Sequence, residues 1–231
     1  MQQALQRVFS FFIKTNPPRK RKARKSRGQS LVEVAIAFPL LIILFSGVIE
    51  FGFILNYYLS LLDATRESAR YWSGDDPFCH TISPSCPLAN GSDDPDFYYQ
   101  TAIMVRKQLD PSLTYANPSD YHGRRIILDP AVDDVVVSVY GVKDNNATLW
   151  RAGGAYHLFP PGNVGHYPSI FTEQIVENTR VSGAPNAGLL VVEVHYNYHH
   201  VLSLPWLTVW LPNPLHLRAY TIMPIRSGEP P

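Results

Sequence analysis

Between residues 31 and 62 the chain carries only two formally charged side chains, Glu33 and Glu50, with Asn56 as a further polar interruption. At about 1.5 Å of rise per residue, about 20 apolar residues cross the hydrocarbon core of a bilayer, so this run spans with length to spare. A transmembrane helix is predicted. It continues outward through LLDATRESARYW, where Asp63, Arg66, Glu67 and Arg70 stand at the three- and four-residue spacings that allow side-chain pairing. Pro39 lies inside the helix, removes one backbone hydrogen bond and predicts a local kink.

Charge sets the orientation. Residues 1–28 hold nine Lys or Arg and no acid, whereas residues 29–231 hold 11 basic against 19 acidic side chains, a net of −8. Basic tails often bind nucleic acid. Directly against an apolar run, however, the same charge acts as a cytoplasmic retention signal, so a nucleic-acid partner is not expected. The N-terminus is placed in the cytoplasm, residues beyond about 62 emerge on the far side, and the protein reads as single-pass in contact with membrane lipid. A cleaved secretory signal fits poorly, because its cut would follow the apolar stretch at small residues, and here the stretch runs into a polar helix. An uncleaved signal anchor fits charge and hydropathy equally well, but leaves Gly28 and Glu33 unexplained.

After Trp72 the chain turns to Gly, Pro, Ser and Asp, the chemistry of loops. Cys79 and Cys86 flank one such stretch. Outside the cytoplasm they form a small disulfide ring, and otherwise they remain two thiols. Asp93, Asp94 and Asp96 lack the spaced ligands and closing Glu of a calcium loop and read as a solvated acidic loop. Residues 97–109 predict a short amphipathic helix ended by Asp110 and Pro111, and residues 134–140, 189–201 and the tail LHLRAYTIMPI predict strands. Residues 153–188 show no clear periodicity, with a short helix expected around 171–178. The fold class is therefore α+β: a long N-terminal transmembrane helix followed by a small extracytoplasmic domain with a mainly antiparallel sheet.

On the second strand Glu193, His195, Asn197 and His199 alternate to one face, and Val192, Val194, Tyr196 and Tyr198 to the other. Glu193, His195 and His199 are weak zinc candidates. Solvation of a half-exposed antiparallel strand accounts for the same alternation, and no metal is expected. No nucleophile elbow, phosphate loop or metalloprotease helix signature occurs, so neither an enzyme nor a cofactor is predicted. Trp206 and Trp210, set among prolines, either form a sticky surface or pack in the core, and core packing is the expectation.

Gly28 at the junction of basic leader and apolar helix, with Glu33 five residues on, resembles the type III/IV prepilin signal. The longer stretch RGQSLVEVAIAFPLLIILFSGVIEFGFILNYYLSLLDATRESARYW resembles the TadE-like domain of tight-adherence (Flp) pilus systems, including Pro39, IEFG at 49–52 and REsARY at 66–71. Fainter likeness returns in VEVHYNYHHVLSLPWL and LHLRAYTIMPIR. The resemblance implies a minor pilin or pseudopilin of the bacterial envelope, with a prepilin peptidase, other pilin subunits and the Tad secretion platform as partners. It implies cleavage between Gly28 and Gln29, and so a division into leader 1–28, assembly helix 29–72 and outer domain 73–231. Glu33, as fifth residue of the mature chain, would then meet the new terminal amine of a neighbouring subunit; an unpaired charge in low dielectric is strongly penalised. Read without the resemblance, Glu33 caps the first helical turn, where a carboxylate favours the helix dipole. Glu50 is expected either to contact another subunit or partner membrane protein or to sit protonated and neutral.

Overall fold

The computed structural model describes residues 27–79, 82, 84, 86, 91–143, 146–151, 154–179 and 186–226, of which 27–30 by backbone alone. The chain divides into two compact units, Met1–Ile43 and Leu44–Pro231. The first contributes the start of helix α1, Arg27–Trp72. Every residue from 31 to 43 is exposed, so this stretch makes no core of its own. Among the described residues one helix is long and apolar enough to cross a membrane, and this is it.

The second unit combines residues 44–72 of α1 with the described residues that follow it, called the outer domain after the expected topology. Helix α2, Pro95–Leu109, begins at Asp94, whose side chain accepts from the Asp96 amide, with Pro95 in the first turn, where a missing N–H costs nothing. It ends at Asp110, ahead of Pro111, as the sequence predicts. Six strands follow: β1 Asp134–Lys143, β2 Asn146–Leu149, β3 Tyr156–Leu158, β4 Pro161–Gly162, β5 Ala187–Tyr198 and β6 Leu215–Ile225. They pair antiparallel in the order β4-β3-β1-β5-β6, with β2 also on β1. Helix α3, Glu173–Thr179, overlaps the 171–178 range expected for a short helix, and a one-turn helix α4, Pro205–Thr208, precedes β6.

The sheet is covered on both sides. Val135, Val137 and Val139 of β1, Leu190, Val192 and Val194 of β5, and Leu217 and Ala219 of β6 form one core with Leu61, Ala64 and Ala69 of α1 and Phe97, Ala102 and Val105 of α2. The opposite face carries a smaller cluster in which Tyr140, Val142 and Val191 meet Phe171 and Val176. Cys79 and Cys86 are joined in a disulfide with their Cα atoms 5.3 Å apart.

Candidate functional site

The helix changes character along its length. Residues 31–45 are exposed on every side; from Ser46 one stripe is covered, running through Ser46, Glu50, Ile54, Tyr57, Leu61, Thr65, Ser68 and Trp72. Steps of three and four residues keep such a stripe on one helical face. Its polar members are the ones that bond to the outer domain. Ser46 Oγ accepts from Trp206 Nε1 at 3.0 Å, Thr65 Oγ1 meets Thr221 Oγ1 at 3.0 Å, and Ser68 Oγ donates to the Thr101 carbonyl at 2.7 Å. Tyr57 stacks on Tyr196 at 5.8 Å and meets Tyr198 edge-on at 5.0 Å, while the Arg124 guanidinium lies 4.5 Å over the Tyr57 ring. Of the charged pairs expected near the helix end, Glu67 and Arg70 form one at 2.8 Å; it is exposed and contributes little.

Glu50 is the centre of this anchorage. Its side chain is fully buried, with Oε1 accepting from Tyr198 Oη at 2.6 Å and Val201 N at 3.0 Å, and Oε2 from Leu202 N at 3.0 Å. The two amides belong to the turn that leaves β5, where the ladder can no longer satisfy them. Glu50 is engaged inside its own chain, stitching the end of β5 to the helix.

Other sequence candidates fall in separate places. Gly28 and Gln29 lie in the first turn of α1, with helical backbone, and Glu33 and Pro39 are exposed further along it. Among the described residues, Cys79, Cys86 and Asp94 are the one group of three potential metal ligands close enough to share an ion, and its sulfurs already share the disulfide. The weak zinc candidates do not converge: Glu193 and His195 are buried on β5, while His199 lies past the strand end and is exposed.

Solvation does not explain the alternation of β5. The segment after β4 folds over the polar face and buries it. Glu193 accepts from Ser169 Oγ and, at 3.3 Å, from Ile170 N. Burial raises the Glu193 pKa and, with the neighbouring His216 and Arg218, depresses that of His195 to about 4. His195 Nδ1 and His216 Nε2 share a hydrogen bond of 3.2 Å, and Tyr167 stacks on both rings. Asn197 donates through its backbone and side-chain nitrogens to Asp133 Oδ1 at 2.8 and 3.1 Å.

Asp134 organises the same layer: it accepts from Val135 N and Phe159 N on one oxygen, and binds His157 Nδ1 at 2.8 Å and His166 N at 3.1 Å on the other. Sequence reading missed Asp133, Asp134, His157, Tyr167 and His216. The pairing of Asp134 with His195 and of Asn197 with His216 across the sheet is visible only once the register is known.

The helix that carries Gly28, Glu33, Pro39 and Glu50 has a counterpart among known proteins. Residues 28–70 match the family model described as TadE-like protein. This segment is TadE-like. The match relates the protein to tight-adherence pilus systems through its N-terminal helix, and it ends at Arg70, just before the helix does. Neither a curated protein nor a solved structure matches the chain. The outer domain is thus known by its own geometry alone.

Proposed function

We propose that this protein is a minor pilin or pseudopilin of a tight-adherence pilus, made with a basic leader, cut after Gly28 and joined to its neighbours through the bare part of its TadE-like helix. The observation that carries the reading is the division of α1 at Ser46. Beyond that point the helix is committed to its own domain; before it, fifteen consecutive residues, 31–45, are all exposed among the described residues. An apolar helix in that state has two environments open to it, lipid before assembly and other helices after it.

In this reading the N-terminus faces the cytoplasm, the outer domain lies beyond the membrane, and the partners are a prepilin peptidase, other pilin subunits and the secretion platform. Gly28 sits in the first helical turn, whose amides have no intrahelical acceptor, and glycine is a poor helix former, so opening this turn for a peptidase costs little. Cleavage leaves an amine on Gln29, and Glu33 supplies a carboxylate one turn away to which a neighbour's amine can pair. The outer domain is given a structural role, since the oxygens of Asp134 are occupied in pinning the segment around His157 and His166.

The deciding experiment is N-terminal sequencing of protein from cells that contain the cognate peptidase. A mature chain beginning at Gln29 is expected; an intact 1–28 segment overturns the pilin reading. It would leave an uncleaved membrane-anchored envelope protein.

A further inference from the structure

The 24 residues 194–217 contain no Asp, Glu, Lys or Arg, although the chain beyond Trp72 holds 15 acidic and 9 basic side chains. Within this uncharged stretch, residues 199–214 form the connection between β5 and β6, and several of its apolar side chains point outward. Val201 is 50% exposed, Val209 77% and Trp210 85%. The core position expected for Trp210 is therefore corrected, while Trp206 is half-buried with its indole N–H on Ser46.

Disordered backbone is not the cause of that exposure. Val201 and Leu202 are held by Glu50, Ser203 Oγ donates to the His200 carbonyl at 2.7 Å, and Leu207 is buried. The Trp210 and Leu211 amides both return to the Leu207 carbonyl, at 3.0 and 2.9 Å. A fixed backbone thus presents a valine and a tryptophan to the surroundings. Around the helix positions that hold this loop, Leu44, Phe45, Val48, Ile49 and Phe51 are exposed as well. Apolar side chains exposed both on the loop and on the helix that holds it mark a contact with another phase or another protein.

Position selects the phase. Counting about 20 residues, or about 30 Å of helix, from Leu31 reaches Glu50, so the far edge of the hydrocarbon falls where the loop is hooked on. Tryptophan is enriched at that boundary, since its ring is apolar and its N–H seeks water or headgroups. Charge agrees: with no Asp, Glu, Lys or Arg from 194 to 217, this edge of an acidic domain enters the boundary without desolvating an ionised side chain.

We propose that the 201–211 loop, led by Val209 and Trp210, is a second membrane contact, seated in the headgroup–acyl boundary of the outer leaflet beside the helix. The proposal rests on the membrane-anchored reading above. Because Glu50 and Ser46 tie the loop to the helix, its insertion would set the depth and rotation at which the helix meets its neighbours.

The test uses the full chain reconstituted in phosphatidylcholine vesicles with or without dibrominated acyl chains. Trp210 emission is obtained as the difference between the protein and its Trp210→Phe variant, and a Phe45→Trp variant reports separately on the helix. Expected is loss of Trp210 emission in brominated vesicles, alongside loss at Phe45→Trp, with no quenching of Trp210 by aqueous iodide. If the helix reporter is quenched by lipid but Trp210 by iodide, the loop contact is overturned and anchoring stands. Protection of Trp210 from both reagents assigns the surface to a second protein copy and also overturns it. If neither reporter meets the brominated chains, the anchored reading falls and the loop contact with it.

Discussion

Removing the acceptor at Glu50 should loosen the outer unit rather than act at a distant interface. Tyr198→Phe deletes one hydrogen bond to a carboxylate in a place where Tyr198 is 1% exposed and water cannot substitute. Bonds to charged groups contribute about 1.5–3 kcal/mol, and in a unit of this size each kcal/mol moves Tm by about 2–4 °C, so a fall of about 3–12 °C is expected. Glu50→Gln replaces one acceptor oxygen with an amide donor, so whichever way the carboxamide turns, Val201 N or Leu202 N faces a group that cannot accept. That costs about 1–3 kcal/mol. Glu50→Ala strips the acceptor from all its donors and leaves a void, for about 3–5 kcal/mol, by analogy with breaking a buried pair. Thermal unfolding of the full chain in detergent, followed by near-ultraviolet circular dichroism, should rank Ala as the most damaging. The Glu50→Ala/Tyr198→Phe double variant should be nearly as stable as Glu50→Ala alone, since both remove the same bond. Additive losses, or a Glu50→Ala protein within about 0.5 kcal/mol of the parent, would refute the anchorage.

Glu33→Ala is expected to reach the membrane in normal amounts and to fail in pilus incorporation, because only subunit pairing needs the charge; fractionation with immunoblotting of sheared fibres separates these steps, and normal incorporation counts against the pairing role. Gly165→Ala should destabilise the outer unit by about 1–3 kcal/mol, since a Cβ there would collide with the Asp134 carboxylate and the His157 ring. An unchanged denaturation midpoint would show that this segment does not pack as described. The stability of the unit should also fall as pH drops from about 6.5 towards about 4: buried His195 stays neutral in the fold down to about 4 while its unfolded counterpart takes up a proton near 6.5. His216, also depressed by burial, acts in the same direction, whereas Glu193 and Asp133, raised by burial, oppose it at the acid end. A His195→Gln variant should show a shallower loss across this window, and an equal slope in both proteins would remove His195 from the account.

Much of the framework was legible because it rests on periodicity. The apolar run, the capped helix at 95–109 and the long strands β5 and β6 each declare themselves over ten or more residues. The short strands β2, β3 and β4 do not. With four, three and two residues, they hold too few alternations to rise above a Gly- and Pro-rich background, and they exist because β1 and β3 offer them a ladder. On β5 the alternation itself was right, but its cause was not solvent. Residues 163–171 cover the polar face, and a covering segment with no periodicity of its own leaves no trace in the strand it covers.

By itself the sequence determined a membrane-length helix, its charge asymmetry, the Gly28–Glu33 junction and the positions of the long strands, all properties of neighbours along the chain. Tertiary structure alone decided the fate of Glu50. Hydropathy counts it as an expensive charge in an apolar run, yet its principal partner, Tyr198, is separated from it by 148 positions and reaches it only when β5 closes against the helix. A buried carboxylate is costly or stabilising according to the donors around it, and donors brought together by folding cannot be read from the residues on either side.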